Sequence, residues 1–238
     1  MRYFLLSICL FLSGCSSIAN LTFSSSQSSS STGFNIGSSS GSSSGPVADP
    51  TYVAMWDGYR DSKGGYTGAD LTRLTLRELD RIDQSFFGIV PRDAHEWCPA
   101  FARQSNEGRK AFYLGFISGI ARFETDFRAH VKYLEAGGHY SRGLLQLGQL
   151  ALSYYPDSQC DVSGDPRQLH DLQKNLSCGT MLVEYWVRRD NHIASDGNIG
   201  DADGRYFGAA RYWSTLREGR RGHDEIMEFT RSLPVCQR

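Results

Sequence analysis

One segment of the chain, residues 111–127, contains a long apolar stripe in which a single member is acidic. Within it, apolar and aromatic side chains recur at steps of three and four residues, which is the period of one helix face. The stripe consists of Tyr113, Phe116, Ile117, Ile120, Glu124 and Phe127. It predicts a helix that packs this face into a core and carries Glu124 there as its one carboxylate.

Glu124 is therefore the first candidate for a functional residue. A carboxylate is almost never buried without a partner or a function, because removing a charge from water is costly. Burial in apolar surroundings raises the pKa of a carboxyl group, which can then hold and donate a proton near neutral pH. These properties are typical of a general acid. The alternative is a structural ion pair with an arginine such as Arg122 or Arg142.

The first fifteen residues have the pattern of a secretion signal. A positive charge at Arg2 precedes an apolar run that is too short to span a bilayer, and the segment ends in Leu-Ser-Gly-Cys. This ending resembles a bacterial lipobox, which implies that residues 1–14 are a lipoprotein signal peptide and that Cys15 is lipidated. The implied location is the cell envelope, with the serine after Cys15 favouring the periplasmic side of the outer membrane. An ordinary signal peptide of a secreted protein is the alternative.

The composition divides the rest of the chain in two. Residues 15–49 are dominated by serine and glycine and bury too little apolar surface to offset the entropy of ordering, so they predict a disordered tether. Residues 50–238 have the composition of one globular domain of ordinary size. The formal net charge of -1 gives no reason to expect nucleic acid as a partner. We expect a monomer.

The globular part contains four cysteines, which a secreted protein usually joins in disulfides. Three connectivities are possible. We predict Cys160–Cys178, which closes a loop between neighbouring helices, and Cys98–Cys236, which ties the C-terminal tail to the early helices. Zinc is the rival use, but the sequence has no CxxC pair and its histidines are scattered. The acids of residues 196–203 do not fit a calcium loop, so we expect neither metal nor cofactor.

Helical periodicity dominates this domain. Strand signals are sparse, and only the glycine-rich residues 137–141 predict a short hairpin. The sequence thus predicts a mostly α domain that disulfides staple together. The predicted helices cover residues 71–82, 111–129, 143–154, 175–189, 205–216 and 223–233.

Four short motifs follow one another in the domain. They are Glu124-Thr125-Asp126-Phe127, Gly143-Leu144-Leu145-Gln146, Asn175-Leu176-Ser177-Cys178-Gly179 and Ala210-Arg211-Tyr212-Trp213. In order and spacing they resemble the Glu-Ser-x-Phe, Gly-Leu-Met-Gln, Asn-Ile-x-x-Gly and Ala-Tyr-Asn motifs of the lytic transglycosylase and goose-type lysozyme superfamily. The resemblance covers roughly residues 105–217. The last motif departs from the pattern, because no asparagine follows its tyrosine.

The resemblance implies a lysozyme-like α-helical fold and a peptidoglycan-cleaving activity on glycan strands. It makes Glu124 the acid that protonates the glycosidic oxygen between N-acetylmuramic acid and N-acetylglucosamine. It also implies that Gln146, Tyr140, Tyr212 and Gly143 contact the substrate, with the hydroxyl of Tyr212 orienting Glu124.

The presence of a second carboxylate helps to distinguish hydrolysis from transglycosylation. An inverting hydrolase uses one to activate water, whereas a lytic transglycosylase lets the muramyl 6-hydroxyl attack. Goose-type lysozymes keep extra acids in the loop before Gly-Leu-Met-Gln, where this chain has Glu135. Glu135 is thus the second candidate catalytic residue, and it favours hydrolysis. Transglycosylation and a non-catalytic peptidoglycan-binding lipoprotein are the alternatives. An acid near the cleft would also suit a deacetylated sugar, whose ammonium it would meet.

Overall fold

Helix α3, Asn106–Thr125, is the central element of the fold. The computed structural model describes residues 51–63, 65–152, 160, 162, 164–197 and 206–237. Ser105 caps α3 by accepting the backbone N–H of Gly108. Every residue from Gly108 to Ala121 is buried, so the helix is enclosed on all sides and not along the predicted stripe alone. A helix enclosed in this way forms the core of its domain.

Several predictions concern parts of the chain outside the described residues. These are the signal peptide, the lipidation site Cys15, the tether and the acidic residues 198–203. The described residues all belong to one compact unit, Pro46–Arg238. None of the helices described in this unit is long and apolar enough to cross a bilayer.

Helix α3 ends earlier than the predicted residue 129. The backbone enters the left-handed region at Asp126 with φ of 53° and stays there at Phe127 with φ of 66°, so the helix cannot continue. The hydroxyl of Tyr66 holds this turn by donating to the carbonyl of Phe127 at 2.5 Å and accepting the N–H of Ala129 at 2.9 Å. Glu124 is consequently left in the last turn of the helix.

The other helices pack against α3 or against one another. Helix α6 lies along α3, and α1 packs on α5. The mostly α fold class is thereby confirmed. The remaining α-helices are α1 Gly68–Arg81, α2 Ala94–Trp97, α4 Gln149–Leu152, α5 Leu172–Asp190, α6 Arg221–Ser232 and α7 Pro234–Gln237. Short 3-10 helices cover Gln84–Gly88, Phe101–Arg103, Pro166–His170, Ala209–Arg211 and Ser214–Leu216.

The predicted hairpin is part of a small three-stranded sheet. Strands β1 Lys132–Leu134, β2 Tyr140–Arg142 and β3 Leu147–Gly148 pair antiparallel in that order. Tyr133 lies opposite Ser141 in the register of β1 and β2. A separate antiparallel pair joins β4 Ala194–Asp196 to β5 Tyr206–Gly208.

Two of the predicted helices are wrong. Residues 143–152 form a turn, strand β3 and the four-residue helix α4, and residues 153–159 lie outside the described part. Residues 206–216 form β5 and two 3-10 helices. Both segments contain buried apolar side chains at helix-like steps. Their backbones are instead held by side chains from distant parts of the chain. A local periodic pattern does not reveal such long-range contacts.

Both predicted disulfides are present. Cys98 at the end of α2 pairs with Cys236 in α7, with 4.7 Å between the Cα atoms, and Cys160 pairs with Cys178 in α5, with 5.3 Å. The first bridge joins positions 138 residues apart and so ties the C-terminal helix to the early part of the domain.

Candidate active site

Glu124 faces a cavity of about 400 Å³ from the last turn of α3. Its side chain is half-buried. Its carboxyl group has no hydrogen bond or ion pair with any residue that the structure describes. The arginines of the alternative interpretation are engaged elsewhere, because Arg122 pairs with Asp126 and Arg142 donates to the carbonyl of Tyr140. A structural ion pair therefore does not explain Glu124.

The surroundings of Glu124 change its acidity. The pKa of its carboxyl group is raised from 4.5 to about 7, mainly by burial and to a smaller extent by the negative charge of Glu135. Both effects disfavour the charged form. Near neutral pH the group is therefore about half protonated. A proton donor with a pKa close to the working pH is what general acid catalysis requires.

Glu135 lines the same cavity. It lies in the tight turn between β1 and β2, where its N–H donates to the carbonyl of His139 at 2.8 Å and its carbonyl accepts the N–H of Gly138 at 2.9 Å. The hydroxyl of Ser141 donates to Glu135 Oε1 at 2.6 Å. The hairpin thus places the second carboxylate at the cavity.

The turn at residues 143–146 forms another wall. Gly143 has φ of +76°, and a Cβ atom there would lie 2.0 Å from the carbonyl oxygen of Leu169, so the turn requires glycine. The amide Nε2 of Gln146 donates to the carbonyls of Gly143 at 2.9 Å and Val131 at 3.2 Å. Its Oε1 is buried and has no partner among the described residues. The side-chain oxygen of Gln146 therefore has acceptor capacity that no described residue uses.

Helix α5 explains the spacing of the third motif. Asn175 and Gly179 are four residues apart and lie on one face of the helix. The Asn175 side chain accepts the N–H of Leu145 at 2.8 Å and donates to the carbonyl of Arg142 at 3.1 Å. At Gly179 a Cβ atom would lie 2.2 Å from Leu145 Cδ1. Asn175 therefore forms hydrogen bonds with the turn, and Gly179 leaves room for the side chain of Leu145.

The first and fourth motifs hold the same turn. The hydroxyl of Thr125, which follows Glu124, donates to the carbonyl of Leu144 at 2.8 Å. The indole N–H of Trp213 donates to the carbonyl of Leu145 at 2.9 Å. All four motifs found in the sequence thus meet around one cavity.

The predicted substrate-binding residues divide into two pairs. Gln146 and Tyr212 line the cavity, whereas Tyr140 and Gly143 are not among the described residues that do so. Gly143 serves the geometry of the turn. The ring of Tyr140 lies 5.0 Å from Lys132 Nζ, on the face of the strand opposite to the neighbouring Ser141. The hydroxyl of Tyr212 accepts the N–H of Gly148 at 2.8 Å, and its role in orienting Glu124 stays a prediction.

Several residues at the cavity were not predicted as site residues. Ser141 could have been found if the hairpin register had been known, because Tyr133, its partner across the strands, lies two residues from Glu135. Nothing in the sequence points to Arg217. In the described ranges no cluster of three or more histidine, cysteine or acidic side chains is placed to bind a metal ion. The unpredicted lining residues are His139, Ser141, Gly148, Arg211, Trp213, Ser214 and Arg217.

The chain is similar to solved structures of Bd0314 DslA, a Bdellovibrio protein. Wild-type DslA in form 2 is 28% identical, with a TM-score of 0.67, over 79% of this chain and 99% of DslA. The chain shares the fold of DslA. Two DslA variants match at 27% identity with the same coverage and TM-score, and each replaces one glutamate by glutamine, at positions eleven residues apart. No family model and no curated protein matches this chain.

Proposed function

We propose that this protein is a peptidoglycan-cleaving glycosidase with Glu124 as its general acid. It cuts the β-1,4 bond between N-acetylmuramic acid and N-acetylglucosamine. The observation that carries the proposal is the carboxyl group of Glu124. It has no partner among the described residues, its pKa is raised to about 7, and it faces a cavity that Glu135 also lines. Most glycoside hydrolases use two carboxyl groups that lie in different environments on either side of one cleft.

The comparison with DslA supports a joint role for the two glutamates. The two DslA variants replace glutamates eleven positions apart, and Glu124 and Glu135 have the same separation in this chain. The superfamily resemblance of the four motifs points to the same class of substrate. The polar lining of the cavity, which includes Gln146, also suits a sugar with its many hydroxyl and amide groups.

The two carboxyl groups take different roles in this proposal. Glu124 donates its proton to the glycosidic oxygen as the bond to the leaving sugar breaks. Glu135, oriented by Ser141, accepts a proton from the attacking water. Because Glu135 is already at the cavity, hydrolysis is the favoured reaction.

Lytic transglycosylation is the second candidate function. It would use Glu124 in the same way and would leave 1,6-anhydromuramyl ends instead of reducing ends. The motif set and the lipobox at Cys15 favour it as much as they favour a lysozyme. A non-catalytic binding lipoprotein is a weaker candidate, because binding a glycan does not require a carboxyl group with a pKa near neutrality.

Substitution of the acid tests the proposal. We expect Glu124→Gln to reduce the clearing of purified cell walls by a factor of ~10² to 10⁴ with an unchanged circular dichroism spectrum. Glu96→Gln is a matched control, because Glu96 is exposed on α2. Mass spectrometry of the products from acetylated and deacetylated walls then identifies the preferred sugar. A folded Glu124→Gln protein with near wild-type activity would show that Glu124 is not the acid.

A further inference from the structure

The cavity also contains a fixed positive charge. Arg217 follows the 3-10 helix Ser214–Leu216 and lines the cavity together with the two glutamates. Its Nε donates to the carbonyl of Ala210 at 3.1 Å. Its guanidinium carbon lies 4.0 Å from the centre of the Tyr206 ring, which is a cation–π contact. These contacts hold the guanidinium in one place.

The charge of Arg217 is not neutralised within the described part of the chain. Its protein partners there are the carbonyls of Ala210 and Arg211 and the ring of Tyr206, and none of these groups is charged. Arg211, also at the cavity, differs because its Nε lies 2.6 Å from the carboxylate of Asp190. A guanidinium carries five N–H groups, and the two carbonyls engage only two of them. Arg217 therefore keeps both charge and donors for a ligand.

We propose that Arg217 binds a carboxylate carried by the muramic acid unit of the substrate. The inference rests on the proposed function and adds a specificity-determining residue to it. A planar guanidinium matches a carboxylate with two parallel hydrogen bonds. The carboxylate is either the free lactyl group of muramic acid or one in the peptide attached to that group. Both lie on the sugar whose glycosidic bond is cut, so one cavity receives the bond at Glu124 and the anion at Arg217.

A binding cycle on the full-length protein tests the inference without cleavage. The Glu124→Gln protein, with and without Arg217→Gln, is titrated with soluble glycan strands before and after their carboxyl groups are converted to amides. We expect amidation to weaken binding by roughly ten- to a hundredfold when Arg217 is present. In the Arg217→Gln protein we expect amidation to change affinity by no more than about twofold. Arg73→Gln is the matched control, since Arg73 is exposed on α1.

Strands with and without stem peptide identify the source of the carboxylate. Sensitivity to amidation confined to peptide-free strands assigns it to the lactyl group, and sensitivity confined to peptide-bearing strands assigns it to the peptide. Arg217→Lys, which keeps the charge, should retain part of the sensitivity if Arg217→Gln fails to fold. The inference is overturned if amidation leaves binding unchanged, or if a folded Arg217→Gln protein loses affinity for charged and amidated strands alike. Wild-type protein that cleaves no wall would refute the proposed function instead.

Discussion

The side-chain oxygen of Asn175 accepts the backbone N–H of Leu145 at 2.8 Å. Through this bond, helix α5 supports the turn that carries Gln146 at the cavity. The amide of Asn175 is fully buried, and its nitrogen also donates to the carbonyls of Arg142 and Leu169. The geometry of the candidate site therefore depends on a residue that does not line it.

Removal of this amide should damage both stability and activity. Asn175→Ala leaves three buried backbone groups without their partner, and we expect a loss of about 3 kcal/mol in the free energy of unfolding. Gln173→Ala is the control, because Gln173 is exposed on the same helix. Urea denaturation and wall clearing measure the two effects. Equal stability of the two variants would show that the turn does not need Asn175.

The raised pKa of Glu124 should make stability depend on pH. Below its ordinary pKa of 4.5 the group is protonated in both the folded and the unfolded chain, so it does not lower the free energy of unfolding. As the pH rises from 4.5 to about 7, the unfolded chain releases this proton and the folded chain keeps it, so stability falls. Above pH 7 the cost is fully present at up to about 3 kcal/mol.

Glu124→Gln should therefore gain stability relative to the wild type as the pH rises through this window, and should match it near pH 4. Urea denaturation of both proteins across the range measures the difference. A difference that does not change with pH would contradict the raised pKa.

Replacement of Glu135 should lower the pKa of Glu124. The negative charge of Glu135 is the smaller of its two causes, so Glu135→Gln should move the titration of Glu124 toward lower pH but not back to 4.5. Carbon NMR of labelled glutamate carboxyl groups follows this titration directly. Ser141→Ala is an informative companion, because it keeps the charge and removes the hydrogen bond. An unchanged titration in Glu135→Gln would mean that the two groups do not interact.

The products released by Glu135→Gln should distinguish the two reactions. Hydrolysis needs a group that activates water, so we expect the variant to be severely impaired and the wild type to release reducing muramic ends. Mass spectrometry of digested walls separates these ends from 1,6-anhydro ends. Predominantly anhydro products, with an active Glu135→Gln, would assign the protein to the transglycosylases.

The lipobox resemblance predicts acylation of Cys15. The native protein should partition into the detergent phase, and Cys15→Ser should remain in the aqueous phase, because a diacylated cysteine adds a large apolar surface. Phase separation followed by immunoblotting measures the distribution. A fully aqueous wild-type protein would contradict the predicted lipid anchor.

The sequence was most informative where structure depends on local pattern or on chemical type. The predicted helices at residues 71–82 and 175–189 correspond to α1 and α5, because each has an apolar face of helical period. The disulfides were predictable because four cysteines after a segment with the pattern of a secretion signal favour disulfide pairing. Glu124 was proposed because a carboxylate within an apolar stripe is unusual, and Glu135 because the resemblance to goose-type lysozymes implies an acid in the loop that follows.

What the tertiary structure alone decided depends on residues that are distant in the chain. The apolar spacing of residues 143–146 predicts a helix. The structure has a turn there, because the side chains of Asn175 and Trp213 form hydrogen bonds with the backbone of Leu145, and a local pattern does not reveal such bonds. Ser141 reaches Glu135 only through the strand register, and Arg217 meets the cavity only when the chain after β5 folds back onto it. The sequence by itself thus determined helices such as α1 and α5 and indicated the candidate acids, since a local period and a residue type can be recognised in neighbouring residues. Contacts between distant segments decided which groups lie near those acids, and such contacts could not be predicted because they produce no periodic pattern in the sequence.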